Sequence, residues 1–118
     1  TRLLKTAYHS IKVADPNAIV ISAGLSPTGA PPPDAVPDDT YCEQMYQAFA
    51  NGSSNGYFDV MGAHGAGYKA APEMDPAQAA ADKSYGGHRS FCFRRVEDLR
   101  AVMVKHGESK KQMTPRLP

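Results

Sequence analysis

Two short apolar runs set the terms for this chain: AIVISAG at residues 18–24 and YFDVMGA at residues 57–63 are the stretches that read as strands. The first is continuously apolar rather than alternating, the pattern of a parallel strand covered on both faces. In the second, Gly62 predicts close approach of another backbone near the strand end. A helical pattern precedes each run. Residues 3–14 put Leu4, Ala7, Tyr8, Ile11 and Ala14 on one face, and Asp15-Pro16 ends that helix because the residue before proline avoids the helical region. Cys42, Met45, Tyr46 and Phe49 then recur at i, i+3, i+4, i+7. Asp38, Asp39 or Thr40 is the expected cap of that helix, and Thr40 and Glu43 have capping-box spacing.

Residues 64–89 read as a long irregular loop, in which residues 76–82 offer a short helix with Pro76 at its first position. Ser90 is the expected cap of a last long helix, FCFRRVEDLRAVMVKHG. It places Cys92, Val96, Leu99 and Met103 on one side and Arg94, Arg95, Glu97, Asp98 and Lys105 mostly on the others. Gly107 fits its C-terminal cap. Residues 1–107 therefore read as one partial (β/α)-barrel-like αβ domain, and residues 108–118 as an extended or disordered tail.

Strands alternating with helices imply right-handed βαβ units and a parallel sheet, hence the α/β class. Two parallel strands with three main helices cannot close a barrel, and they leave strand edges and apolar faces open. The chain is accordingly expected to be a homo-oligomer, with assembly covering the stripes of Leu4, Ile11, Met45, Phe49, Val96 and Leu99.

Charge narrows the partners further. The formal net charge is +1, and no basic run precedes Lys110 and Lys111, so neither nucleic acid nor an anionic membrane is an expected partner. No window approaches 18 apolar residues, and no signal peptide is evident. The chain begins at Thr1 rather than Met, which reads as processing or excision from a longer frame. Two cysteines, Cys42 and Cys92, are too few for a disulfide scaffold and read as buried thiols.

Four stretches resemble the middle of bacterial cellulase-like glycoside hydrolases, retaining (β/α)8-barrel enzymes. They are ADPNAIVISAGLSPTG, DDTYCEQMY, GYFDVMGAHGAGYKAAPEMDP and YGGHRSFCFRRVEDLRAVMVKHGESKKQ. The resemblance covers roughly residues 3 to 112 and rests on order and spacing together. It implies that residues 18–24 are the fifth barrel strand and residues 57–63 the sixth. Retaining glycosidases need two carboxyl groups about 5–5.5 Å apart. By the resemblance, one would precede Thr1 and the other would follow Gln112, where MTPRLP stands instead. Asp59 is no substitute: it sits at the N-terminal end of its strand, where barrel residues serve stability, roughly 16 Å from His64. The expectation is a truncated barrel fragment without glycosidase activity.

His64 stands where barrel enzymes place substrate-handling residues. The resemblance implies that a histidine there lines a sugar-binding cleft. Gly65-Ala66 follow it here and supply no aromatic platform, so Tyr68 is the candidate for that role, and a residual carbohydrate-binding module would use His64, Tyr68 and the loop of residues 24–37. Residues 64–89 also carry Glu73, Asp75, Asp82, Tyr85 and His88. Imidazole, phenolate and carboxylate donors suit zinc or ferric iron, so His64, His88, Tyr68 and Asp75 are candidate metal ligands, possible also between subunits. Ordinary loop polarity is the alternative. No H-E-x-x-H, G-x-S-x-G or GxxxxGK[ST] pattern occurs. The candidate ligands are thus an oligosaccharide or a metal ion.

Overall fold

In the computed structural model, which describes residues 1–116, four α-helices and two parallel strands alternate with irregular segments. The helices are α1 (Arg2–Ala14), α2 (Asp38–Ala48), α3 (Pro76–Ala81) and α4 (Val96–Lys105); the strands are β1 (Met61–His64) and β2 (Met113–Arg116). β1 and β2 pair in parallel from Met61 opposite Met113 to His64 opposite Arg116. On the other side of β1, residues 18–25 run parallel through isolated bridges, Ile21 to Val60 and Leu25 to Ala63. The α/β class and the two parallel strands are as expected, but one of the two strands is not the one the sequence suggested.

Residues 18–24 fall short of a regular strand for a definable reason. Between the two bridges this segment takes four steps while β1 takes three, which is the signature of a bulge. At the bulge the hydroxyl of Ser22 replaces a ladder carbonyl, accepting from the Gly62 N–H at 2.9 Å. The close approach expected at Gly62 is present: a Cβ there would lie 2.2 Å from the Ser22 carbonyl oxygen. The expectation that both faces are covered is corrected, because Val20 and Ser22 are buried while Ile19, Ile21 and Ala23 are exposed. At the other edge, Met113–Arg116 is a strand where the sequence offered no strand pattern.

The helix boundaries depart from expectation where side chains have other work. α2 begins at Asp38 after an N-cap at Pro37, with no side-chain cap. Asp38 is not free to cap because its carboxylate takes both terminal nitrogens of Arg95. The exposures of these two side chains are 1% and 3%, so Arg95 is buried and not on a solvated helix face. The expected continuous helix from residue 91 is interrupted: Arg89–Phe91 and Phe93–Arg95 are 3₁₀ turns, and α4 starts only at Val96. Elsewhere local signals hold. Pro76 opens α3 with Asp75 as a side-chain cap. Gly107, at φ +79°, closes α4: its N–H reaches the Val104 carbonyl at 3.0 Å and the Glu108 N–H reaches that of Met103 at 2.9 Å.

The core lies on one side of the sheet, where Met61 and Ala63 of β1 meet Cys42 and Tyr46 of α2, Phe49 just after it, and Leu99 and Met103 of α4. Glu108 ties the end of α4 to this layer by accepting from the Tyr46 hydroxyl at 2.6 Å and the Ser54 N–H at 2.7 Å. Burial opposes its ionisation, but these donors and Lys111 outweigh it and hold its carboxyl below the usual range. α1 touches the core at its margin, where half-buried Leu4 packs against it. It contains no buried residue, and its polar links converge on Asp59, which accepts from Tyr8 at 3.0 Å and from Lys12 at 2.8 Å. The same carboxylate accepts from the Val20 N–H at 2.8 Å, consistent with its expected structural role. The molecule is also extended: its radius of gyration is 15.2 Å, against about 13.5 Å for a compact domain of this length.

Two substitutions test this packing. Asp38→Ala strands the buried Arg95 charge, and an urea-unfolding midpoint should fall by the equivalent of about 3–5 kcal/mol. Glu108→Gln should remove part of the acid sensitivity. A carboxylate with a lowered folded pKa contributes stability that is present above its ordinary value of 4.5 and is lost as pH falls through the folded value. The wild type should therefore lose more stability than the variant when urea titrations at neutral pH and below pH 4 are compared.

Candidate functional site

β1 delivers His64 to the C-terminal end of the sheet, half-buried, with its ring against Gly24 of the edge segment. A Cβ at Gly24 would come within 3.0 Å of that ring, so the small residue is what lets the imidazole lie there. A Cβ at the next residue, Gly65, would lie equally close to the Phe93 ring, at 3.0 Å. The turn after β1 is thus fitted between two loops by residues without side chains.

Beyond it the chain builds an aromatic cleft. Tyr68 is exposed, with its ring 5.8 Å from that of Phe91, and its N–H donates to the Phe91 carbonyl at 3.3 Å. His88 approaches Phe91 edge-on at 6.5 Å. Its Nδ1 lies 2.8 Å from the Ser90 hydroxyl and accepts from the Ser90 N–H, so His88 holds the 3₁₀ turn that presents Phe91. The loop of residues 24–30 closes the other side, with Gly29 against the His88 ring. The cleft has a volume of about 250 Å³ and is lined by Pro27, Ala66, Gly67, Tyr68, Ser90 and Phe91. Across Gly67 lies a more apolar hollow of about 280 Å³ walled by Phe93 and Pro72.

The four candidate residues are therefore not one constellation. Tyr68 and His88 share Phe91, and His64 sits at the strand end beneath the same loops. Asp75 is drawn elsewhere: it caps α3 through the Ala77 N–H at 2.8 Å and lies 3.7 Å from Arg94. Among the described residues, no group of three or more His, Cys, Asp and Glu is placed to hold a metal ion. Zinc or ferric iron at His64, His88, Tyr68 or Asp75 would call for donors from a second chain. Both cysteines are buried free thiols. Burial, with Asp38, Glu43 and Asp39 adding to it, pushes Cys42 up to about 12, which makes it a packing residue and not a nucleophile. No helix of the described residues is long and apolar enough to cross a membrane.

The walls Phe91 and Phe93 escaped the sequence reading, whereas Pro27 belongs to the loop of residues 24–37 expected beside a sugar. No sequence signal marked the two phenylalanines: all three residues of FCF are apolar, and the alternation that buries Cys92 between Phe91 and Phe93 exists only in the fold.

Comparison with known proteins adds no relative: no protein-family model, no curated protein and no solved structure matches this chain.

The cleft should be separable from stability. Tyr68 is 61% exposed, so Tyr68→Ala should leave the unfolding free energy within about 0.5 kcal/mol. Gly86→Ala should lower it measurably, because Gly86 has φ +100° and a Cβ there would lie 2.4 Å from the Phe91 ring. Chemical denaturation of the two variants checks both.

Proposed function

We propose that this chain is a non-catalytic, glycosidase-like barrel segment that completes its sheet by self-association and offers the aromatic cleft at its strand ends to a ligand. One observation carries the reading: α1 is amphipathic in sequence yet buries no residue. On its apolar face Leu4 is half-buried against the core, but Ile11 remains 41% exposed, and Ile19 is 71% exposed on the segment that follows the helix. A helix of this kind ordinarily gains its stability from tertiary packing of its apolar face.

The order of the parallel segments supports the barrel resemblance, since residues 18–25, β1 and β2 lie side by side in chain order, as successive barrel strands do. The residues at the strand ends support the non-catalytic part. They are Leu25 and His64, neither of them a carboxylate, whereas retaining hydrolysis needs two.

The exposed Tyr68 and the neighbouring Phe91 favour a sugar ring as ligand, because an aromatic face offers an apolar platform edged by polar groups. A metal ion held between copies is the weaker reading, as Asp75 is committed to its cap.

Sedimentation velocity over a concentration series should show a reversible oligomer at micromolar concentration. A folded monomer throughout that range would refute the assembly. Titration with a cello-oligosaccharide should change the tyrosine fluorescence of the wild type and leave Tyr68→Ala unchanged. An unresponsive wild type would remove the carbohydrate reading and leave the assembly standing.

A further inference from the structure

The open edge formed by residues 18–25 carries a more specific inference, which rests on the self-association reading. Within the chain, Val20 and Ser22 turn their backbone groups toward β1: the Val20 carbonyl accepts from the Val60 N–H, and the Ser22 N–H donates to the Val60 carbonyl at 2.9 Å. Neighbouring residues of a strand point the opposite way. Ile19, Ile21 and Ala23 accordingly have no backbone partner among the described residues. They form a row of outward N–H and C=O groups, the template on which another strand pairs.

Proteins that keep such an edge solitary defend it with an outward-facing lysine, a proline or a cover. Residues 18–24 contain neither lysine nor proline, and no charged residue at all. Ile19, Ile21 and Ala23 are exposed as well. α1 runs through residues 15–17 straight into this edge and is pinned to it by Lys12, which donates to the Ala18 carbonyl at 2.5 Å. The uncovered helix and the unpaired edge are thus parts of one surface.

We propose that this edge pairs antiparallel with the same edge of a second copy, about a twofold axis at Ile21. Self-complementarity selects the occupant. In that register Ile21 meets its own counterpart and Ile19 of one copy meets Ala23 of the other. Asn17 meets Leu25, and Asp15 meets Pro27, so no charge faces a like charge. A twofold axis makes the interface isologous, so it closes at two copies and does not propagate as a fibre.

Hydrogen exchange on the unmodified protein reads this directly. The Ile19 and Ile21 amides have no acceptor within the described chain, so protection by at least about tenfold, rising with concentration, requires pairing from outside. Ile21→Cys should form a disulfide-linked dimer under mild oxidation, because directly opposed residues have Cα atoms about 5.5 Å apart, within disulfide reach. Ile19→Cys alone should link poorly, while Ile19→Cys mixed with Ala23→Cys should link well. Fast exchange at Ile19 and Ile21 with no Ile21→Cys dimer, in a wild type that sediments as an oligomer, overturns the edge pairing and leaves self-association standing. A wild type that sediments as a monomer overturns both.

Discussion

β1 is paired on both of its sides, and the rest of the structure depends on that. Met61 and Ala63 turn toward α2 and α4 and anchor the core. Gly62 lets the Ser22 backbone approach to a distance no side chain would tolerate. Two residues before Met61, Asp59 gathers Tyr8, Lys12 and the Val20 N–H. Burial opposes the ionisation of Asp59, but these three partners hold its carboxyl below the usual range. A single five-residue stretch thereby fixes the core on one side and carries the peripheral helix on the other.

The consequence is an uneven molecule. α2, α4 and β1 form a layer closed by buried Tyr46, Leu99 and Met103 and by the Asp38–Arg95 pair. α1 and residues 18–25 attach to that layer through Leu4 and Leu25, the Ser22 bonds to Val60 and Gly62 and the polar contacts at Asp59, while Leu3, Ile11, Val13, Ile19 and Ile21 stay in contact with water. Breaking those polar contacts costs little compared with unpacking the core, so the edge should be the part of the chain most responsive to a partner. The aromatic cleft belongs to the same region of the fold. Its floor is the loop of residues 24–30, so anything that fixes the edge segment also fixes Pro27 beside Tyr68 and Phe91.

Where the local signal was strong, the sequence was legible. The span of α1, the Pro76 start of α3, the Gly107 cap and the close approach at Gly62 each follow from one residue with a single physical meaning. Features that depend on a partner far along the chain were not legible. β2 contains Thr114 and Pro115 and has no apolar period, so its strand character comes only from the ladder with Met61–His64. Arg95 looks like a surface residue until Asp38, 57 positions away, is brought to it. Residues 18–24 read as a strand covered on both faces because they are uniformly apolar, yet apolar composition cannot say whether the second cover is supplied by the same chain. His64 at the strand end and Tyr68 in the cleft were visible through their place at and after the strand. The walls supplied by Phe91 and Phe93 depended on a 3₁₀ turn that the helical pattern concealed.

The central claim is that the native state of this chain is inseparable from its association. The concentration dependence of the thermal unfolding midpoint tests it most directly. If the folded state is an assembly, mass action requires the midpoint to rise with protein concentration, and the account predicts a clear upward shift across a hundredfold dilution series. A single cooperative transition with the same midpoint at every concentration would contradict it.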